Sequence, residues 1–503
     1  MSRTAIVIGG GIGGMATANL LAHEGWTVTV LEQADQLGGR AGWLEIDGFG
    51  FDTGPSWFLM PEVFEHYFGL LGRRLSDYLT LDRLDPAYCV FPEGRPPVTI
   101  HGDLERDATT FEAIEPGAGG RLRRYVDSAQ TTYEMSMKHF LYTNFSDARS
   151  LVSPDIWRSL PALPRSLSLN SHVARQFKDP LLRQIMQYPS VFLGTSPYRA
   201  PSLYGLMSYL DFSQGVFFPR GGMYSLIRAL EKVGGELGVE FRLNTAVERI
   251  ITANGRASGV ELADGSTLTA DLIISNADLH HTEQALLSTD SRSLPQKFWA
   301  KAEPGPSAML MYLGVKGRLP QLSHHNLIFN RDWEKTFGDI FDRRQWPSQA
   351  SMYVCAPSIT DPSVAPADHE NLFVLVPLPP LDASGTMPDL TAAADRYLAQ
   401  IETAIGAPDL RQRLVVKRLF GPADFAKRFG SWRGSALGLG HTWSQSAILR
   451  PSVRSRKISN LYYVGANVRP GIGLPMCLIS AQLILKDLHN DRTPGPAPLP
   501  EVR

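Results

Sequence analysis

Thr4-Ala-Ile-Val-Ile-Gly-Gly-Gly-Ile-Gly-Gly14 decides the fold of this 503-residue chain. Thr4 to Ile8 is short, apolar and β-branched, the pattern of a strand buried on both faces. Gly9-x-Gly11-x-x-Gly14 follows at once. Met15 to Glu24 is rich in alanine and leucine and reads as a helix closed by Gly25. Trp26 to Leu31 is a second strand, with Glu32 at its end. Strand, glycine loop, helix, strand and terminal acid in this order describe a dinucleotide cradle. Gly9 serves the turn, Gly11 lets backbone approach a pyrophosphate, and Gly14 lets helix and strand pack closely. Ile12 and Gly13 lie in the same loop. The helix N-terminus offers N–H groups to phosphate, and Glu32 offers its carboxylate to a ribose hydroxyl.

Further along come Leu37-Gly38-Gly39-Arg40 and Phe51-Asp52-Thr53-Gly54-Pro55-Ser56. Here the sequence resembles the large flavoprotein group that includes amine oxidases and carotenoid desaturases. The resemblance places Gly38, Gly39 and Arg40 along the FAD pyrophosphate, and Gly54, Pro55 and Ser56 toward the flavin. Near the other end, Val464-Gly-Ala-Asn-Val-Arg-Pro-Gly-Ile-Gly-Leu-Pro475 precedes Met476 and a helix to about Leu488. Proline suits the first helical turn. This segment, with Ser275-Asn-Ala-Asp-Leu-His-His281, resembles the bacterial phytoene desaturase family. Gly465, Ala466, Gly471, Gly473, Pro475 and Met476 are its matching cofactor positions, and the helix end would face the flavin N1/C2=O edge. The resemblance runs from residue 4 to about 490. Arg469 departs from it, where many relatives carry smaller or hydroxyl residues, and sets a cation near the flavin's surroundings.

Between these ends, Phe218-Pro-Arg-Gly-Gly-Met223 opens a helix whose apolar face is Met223, Leu226, Ile227, Leu230 and Val233. Gly234-Gly235 should stop it. A strand at Val239–Leu243 and a meander over 247–252, 257–262 and 266–271 follow, turned by Asn254-Gly255 and Asp264-Gly265. In the family the first meander strand brings a backbone amide near the adenine, which the resemblance carries to Val247. Leu272 to Ala277 then returns to the nucleotide fold.

The expected architecture is α/β: a discontinuous Rossmann-like FAD-binding domain (1–75, 216–290, 452–503) with an inserted mixed α+β substrate domain (76–215, 291–451). Strands are expected at 307–315, 351–356 and 372–376. Residues 188–218 hold Tyr188, Phe192, Tyr198, Tyr204, Tyr209, Phe212, Phe217 and Phe218. They read either as an aromatic core or as the wall of an apolar tunnel or lipid-facing surface. Arg450, Arg454, Arg456 and Lys457, and Arg121, Arg123 and Arg124, are basic clusters of the kind usually found on solvated faces.

Composition narrows the function. Lys plus Arg number 49 against 50 Asp plus Glu, so a basic nucleic-acid surface is not expected. Cys89, Cys355 and Cys477 are odd in number and lack metal-ligand spacing, which fits a reducing compartment and argues against a disulfide framework. No apolar run reaches the ~18–20 residues of a membrane span. The chain reads as cytoplasmic, and no metal site is expected.

The resemblance implies an oxidoreductase with non-covalent FAD. Its substrate is a long isoprenoid hydrocarbon, 15-cis-phytoene taken toward lycopene, by hydride transfer to flavin N5 and loss of a neighbouring proton. Quinone or oxygen then reoxidises the flavin. A bilayer-resident substrate implies peripheral contact with the membrane surface. No catalytic side chain and no oligomeric state is singled out. Another carotenoid desaturase, a carotene isomerase, a flavin amine oxidase and a non-enzymatic prenyl-binding escort protein are the alternatives, the last opposed by the intact flavin segments at both ends.

Overall fold

The computed structural model describes residues 3–145, 168–382 and 384–500; part of the inserted segment, 146–167, lies outside them. Two sheets organise the chain. The first has five parallel strands in the order Leu461–Tyr463, Leu272–Ser275, Thr4–Ile8, Thr27–Leu31 and Glu240–Arg242. It therefore draws on the start, the middle and the C-terminal part of the chain. Ile8 lies beside Ser275, and Ser275 beside Tyr463, so three strands end in register at one edge. In open parallel sheets ligands bind outside this carboxyl edge.

The second sheet has seven strands: Leu414–Phe420, Ser307–Lys316, His369–Leu378, Met352–Cys355, His325–Phe329, Tyr88–Pro92 and Val98–Ile100. All neighbours are antiparallel except His325–Phe329 and Tyr88–Pro92. Its long strands are apolar on both faces. Ala308, Leu310 and Tyr312 enter one core, while Met309, Met311, Leu313 and Val315 enter another beneath the helix Leu390–Ile405. Each such buried side chain contributes about 1.5–3 kcal/mol. Asp389 starts that helix by accepting the N–H groups of Thr391 and Ala392.

The expected strands at 307–315, 351–356 and 372–376 appear as 307–316, 352–355 and 369–378. The meander forms at Val247–Ala253, Arg256–Leu262 and Thr267–Thr269. The expected boundary at Gly234-Gly235 is corrected: the helix spans Tyr224–Glu236 and contains both glycines. A Cβ on Gly234 would stand 2.7 Å from Asn19 and from the Phe241 ring, so that glycine permits close packing. The helix expected from Met15 begins at Ile12 instead, because its glycine-rich first turn is packed against Asn276 and the Gly9 carbonyl. Tertiary contact outweighs the low helix propensity of Gly13 and Gly14.

Candidate cofactor cradle and aromatic chamber

The carboxyl edge of the parallel sheet gathers the glycine segments. Gly9, at φ +97°, turns the chain away from the first strand and donates to the Leu31 carbonyl at 2.8 Å. A Cβ on Gly14 would overlap the Gly9 carbonyl, which is the helix–strand contact expected of it. Asn276 fills the centre of the edge. A Cβ on Gly11 would lie 2.7 Å from its Nδ2, and one on Gly13 2.9 Å from its Oδ1. Asn276 was not singled out from sequence, although its place directly after the buried strand Leu272–Ser275 is the signal that marks it.

Glu32 braces this loop. Its buried carboxylate accepts the N–H of Gly10 at 2.7 Å and that of Ala34 at 2.9 Å. The ribose role read from sequence thus falls on an acid already held by backbone. Val247 begins its strand just after Thr245, whose N–H donates to the Glu32 carbonyl at 2.8 Å. Gly38 donates to the Gly10 carbonyl at 2.8 Å and pairs with Gly11, so the second glycine segment lies along the first.

Arg40 follows. Its Nη2 donates to Ser431 Oγ at 2.9 Å, while its Nε is buried without a partner. Burial holds its guanidinium below the usual arginine range. Such a cation calls for an anion. A Cβ on Gly54 would stand 2.5 Å from the Arg40 carbonyl, so Gly54-Pro55-Ser56 runs past the same point. Thr53 locks the crossing: its Oγ1 accepts the Gly42 N–H at 3.0 Å, and its carbonyl accepts the Tyr312 hydroxyl at 2.9 Å. Asp52 accepts the N–H groups of Met223 and Tyr224, both at 2.8 Å, and so caps the helix Tyr224–Glu236. Burial pushes the Asp52 carboxyl up to about 7.

The C-terminal signature closes the cradle. Val464 continues the pairing to the Ser275 carbonyl at 3.0 Å, which brings Gly465 beside Gly13. Asn467 joins the segments: its Nδ2 donates to Asp278 at 3.0 Å and its Oδ1 accepts the Leu439 N–H at 2.8 Å. Gly471, at φ +146°, passes so close to the His441 ring that a Cβ would overlap it. His441 Nε2 accepts the Ile472 N–H at 3.2 Å. Nδ1 therefore carries the proton toward Tyr204, whose hydroxyl donates on to Ser446 Oγ at 3.2 Å. The helix Leu474–Leu488 starts after Gly473 with Pro475 in its first turn, Met476 half-buried beside it, and no side-chain cap. The helix Ile12–His23 also starts uncapped. Both ends leave N–H groups for a ligand.

In the basic cluster at 450–457, Arg454, Arg456 and Lys457 are exposed as expected, and Arg450 is the correction. Arg450 is fully buried rather than on a solvated face. It donates to the carbonyls of Val468 (3.2 Å), Gln445 (3.0 Å), Leu439 (3.0 Å) and Ala466 (2.5 Å). Ala466 is thereby a strut of the loop. Arg469, the cation expected near the flavin, is held by backbone. Its guanidinium donates to the carbonyls of Arg450, Ile448, Asn144 and Phe145, and ties the loop to distant chain. Burial brings both guanidinium groups down to about 10. Arg454 pairs with Asp487, Arg121 with Glu115 and Arg123 with Glu105.

Beyond Ser56 the chain enters an aromatic chamber. Trp57 is stacked on His325 with ring centroids 4.2 Å apart, and Phe192 (5.4 Å), Tyr88 (5.6 Å), Tyr353 (5.9 Å) and Tyr188 (6.0 Å) surround it. Of the eight aromatics expected in this region, Tyr188, Phe212 and Phe218 are buried and the other five are half-buried. Asp211 lies beneath them, accepting the hydroxyls of Tyr88 at 3.0 Å and Tyr188 at 2.7 Å. Burial pushes its carboxyl up to about 7. Among the described residues no helix is long and apolar enough to cross a membrane.

The donor set fits a flavin nucleotide: glycines that admit no Cβ, two uncapped helix ends and an unpartnered buried arginine nitrogen. Comparison with known proteins agrees. Residues 12–484 match the flavin containing amine oxidoreductase family. A carotenoid 3,4-desaturase of Haloarcula japonica is 43% identical over 96% of this chain and 98% of its own. A zeta-carotene-forming phytoene desaturase of Myxococcus xanthus is 38% identical over 97% and 94%. An oxidoreductase of Methanosarcina mazei superposes with a TM-score of 0.63 at 17% identity, covering 96% of this chain and all of the other. The chain is a flavin-dependent oxidoreductase and belongs to the flavin containing amine oxidoreductase family, beside its carotenoid desaturases.

Proposed function

We propose that the protein is an FAD-dependent desaturase of carotenoids or their colourless precursor, with phytoene taken toward lycopene as the first reaction to test. The observation that carries this reading is that the chain runs directly from the cofactor cradle, at Gly54–Ser56, into the packed aromatic rings around Trp57. A polyene without a polar handle is held by packing against such rings and by exclusion of water. FAD, when bound, supplies the two-electron acceptor for a hydride. Arg40 and the end of helix Ile12–His23 would hold its phosphates, and the first turn of Leu474–Leu488 its electron-rich ring edge. The substrate loses a hydride and a neighbouring proton for each new double bond. Non-covalent attachment is favoured by Cys477, whose thiol burial pushes up to about 12, far from the reactive range.

The reading extends to a cytoplasmic protein that visits the bilayer and passes electrons to quinone or oxygen. Trp443, Ile448 and Leu449 stand 58%, 40% and 60% exposed on one short segment, in keeping with contact to lipid. The test is turnover on liposomes carrying phytoene and a quinone, with products followed by their visible bands. Stepwise growth of longer-wavelength bands is the expected result. Flavin-loaded protein that leaves phytoene unchanged but extends an already conjugated carotene would move the substrate later in the series. Inertness toward both, with oxidation of amines, would overturn the reading.

A further inference from the structure

Behind Ser56 and Trp57 lies a cluster that the flavin chemistry does not use. His324, His325 and Cys355 are 3%, 0% and 2% exposed, and one ligand atom from each lies within 4.8 Å of the others. Both imidazoles are anchored at Nδ1 by a hydroxyl, His324 by Thr360 at 2.7 Å and His325 by Tyr353 at 2.7 Å. Both leave Nε2 buried without a partner. Cys355 Sγ stands 3.7 Å from the His325 ring nitrogen Nδ1. Beside them lies a cavity of about 10 Å³, room for one water, lined by Asp52, Ser56, His324 and Cys355 but not by His325.

These features are those of a metal-ligand set. A buried orphan nitrogen on a ring whose other nitrogen is held by a hydroxyl has its orientation set, and the hydroxyl can accept the Nδ1 proton when Nε2 takes a metal. Bonds of about 2.0 Å to nitrogen and 2.3 Å to sulfur at tetrahedral angles put neighbouring ligand atoms about 3.6 Å apart, so the widest separation here closes by about 1 Å on capture. Two imidazoles and a thiolate select a soft or borderline divalent ion.

We propose that His324, His325 and Cys355 form a buried structural site for a divalent ion of the zinc class. Binding releases the Cys355 thiol proton to solvent and involves no change of oxidation state. The ion ties the start of strand His325–Phe329 to the end of Met352–Cys355 and so fixes His325, the ring on which Trp57 stacks. This site is independent of the substrate assigned above.

The test is metal analysis of the FAD-loaded full chain, expressed with added zinc, beside Cys355→Ser and His324→Gln. About one zinc per chain is expected in the parent, with at least a tenfold loss in both variants. Cys355→Ser is nearly isosteric, and its FAD content, read by absorbance, shows that the fold is intact. Titration of demetallated protein with Co²⁺ should add a thiolate-to-cobalt absorption band that Cys355→Ser lacks. A parent without zinc that also gives no cobalt band would overturn the site and leave the cavity to a water. Zinc retained undiminished in both variants would overturn it too, by placing the metal elsewhere.

Discussion

Around Gly9–Gly14 and Gly465 the chain brings backbone against backbone, whereas around Trp57 and Asp211 it brings side chain against side chain. In the cradle, polar demand is met by N–H groups, carbonyls and a few charged side chains reaching them, such as Glu32 and Arg450. In the chamber, rings enclose a small number of hydroxyls, imidazoles and one carboxyl. The first arrangement admits almost no added atom. The second tolerates exchange of one ring for another, because packed apolar volumes can be redistributed. The proposed function, a fixed cofactor acting on a hydrocarbon that varies between related enzymes, calls for this division.

The largest effect should come from the cradle. Gly14→Val places side-chain atoms on the Gly9 carbonyl and should abolish FAD binding, seen as purified protein without flavin absorbance. Arg450→Met leaves the carbonyls of Leu439, Gln445, Ala466 and Val468 without their buried donor. A loss of about 3–5 kcal/mol is expected from denaturant unfolding. Arg40→Met removes one charge-assisted contact, worth about 1.5–3 kcal/mol, so FAD should bind roughly 10–100-fold more weakly in a fluorescence titration. If Arg40→Met bound FAD normally, the cradle would hold phosphate by helix ends alone.

The chamber should respond more mildly and with a pH signature. Asp211 has a folded value near 7, above the ~3.9 of an unfolded aspartate, so the folded state holds the proton longer. Its contribution is fully present below about pH 4 and fades as pH rises through 7, so unfolding midpoints should fall across that window. In Asp211→Asn the fall should be shallower, while FAD content stays at the parent level. An unchanged slope in the variant would assign the pH dependence to other groups, Asp52 first. Trp57→Phe, one ring for another, should have the smallest effect on folding, about 1–2 kcal/mol, yet lower turnover several-fold with flavin content unaltered.

The cradle was legible because its constraints select residue type. Only glycine fits a backbone contact that excludes Cβ, as at Gly14 and Gly54, or a tight turn at positive φ, as at Gly9, and these residues announce that requirement locally. The struts were not legible, because their partners are remote. Arg469 reaches Asn144 and Phe145, more than 320 residues away, and nothing beside Arg469 marks a carbonyl as its destination. Gly234 looked like a helix end for the same reason: its reason for being glycine, the Phe241 ring and Asn19, lies outside the helix. His441 acts through contacts, with Gly471, Ile472 and Tyr204, that a strand pattern does not encode. The cysteines were set aside on spacing alone, yet strand pairing places Cys355 opposite His325, 30 positions away.

The parallel sheet orders the strand Leu461–Tyr463 beside Leu272–Ser275, itself beside Thr4–Ile8. A ribosome making this chain therefore releases the first glycine loop hundreds of residues before the segment that completes its socket. Until Gly465–Met476 has emerged, the nascent Rossmann half exposes a sheet edge and an open glycine loop. Flavin loading consequently waits on Gly465–Met476, and a nascent chain that lacks this segment offers the cofactor an incomplete socket.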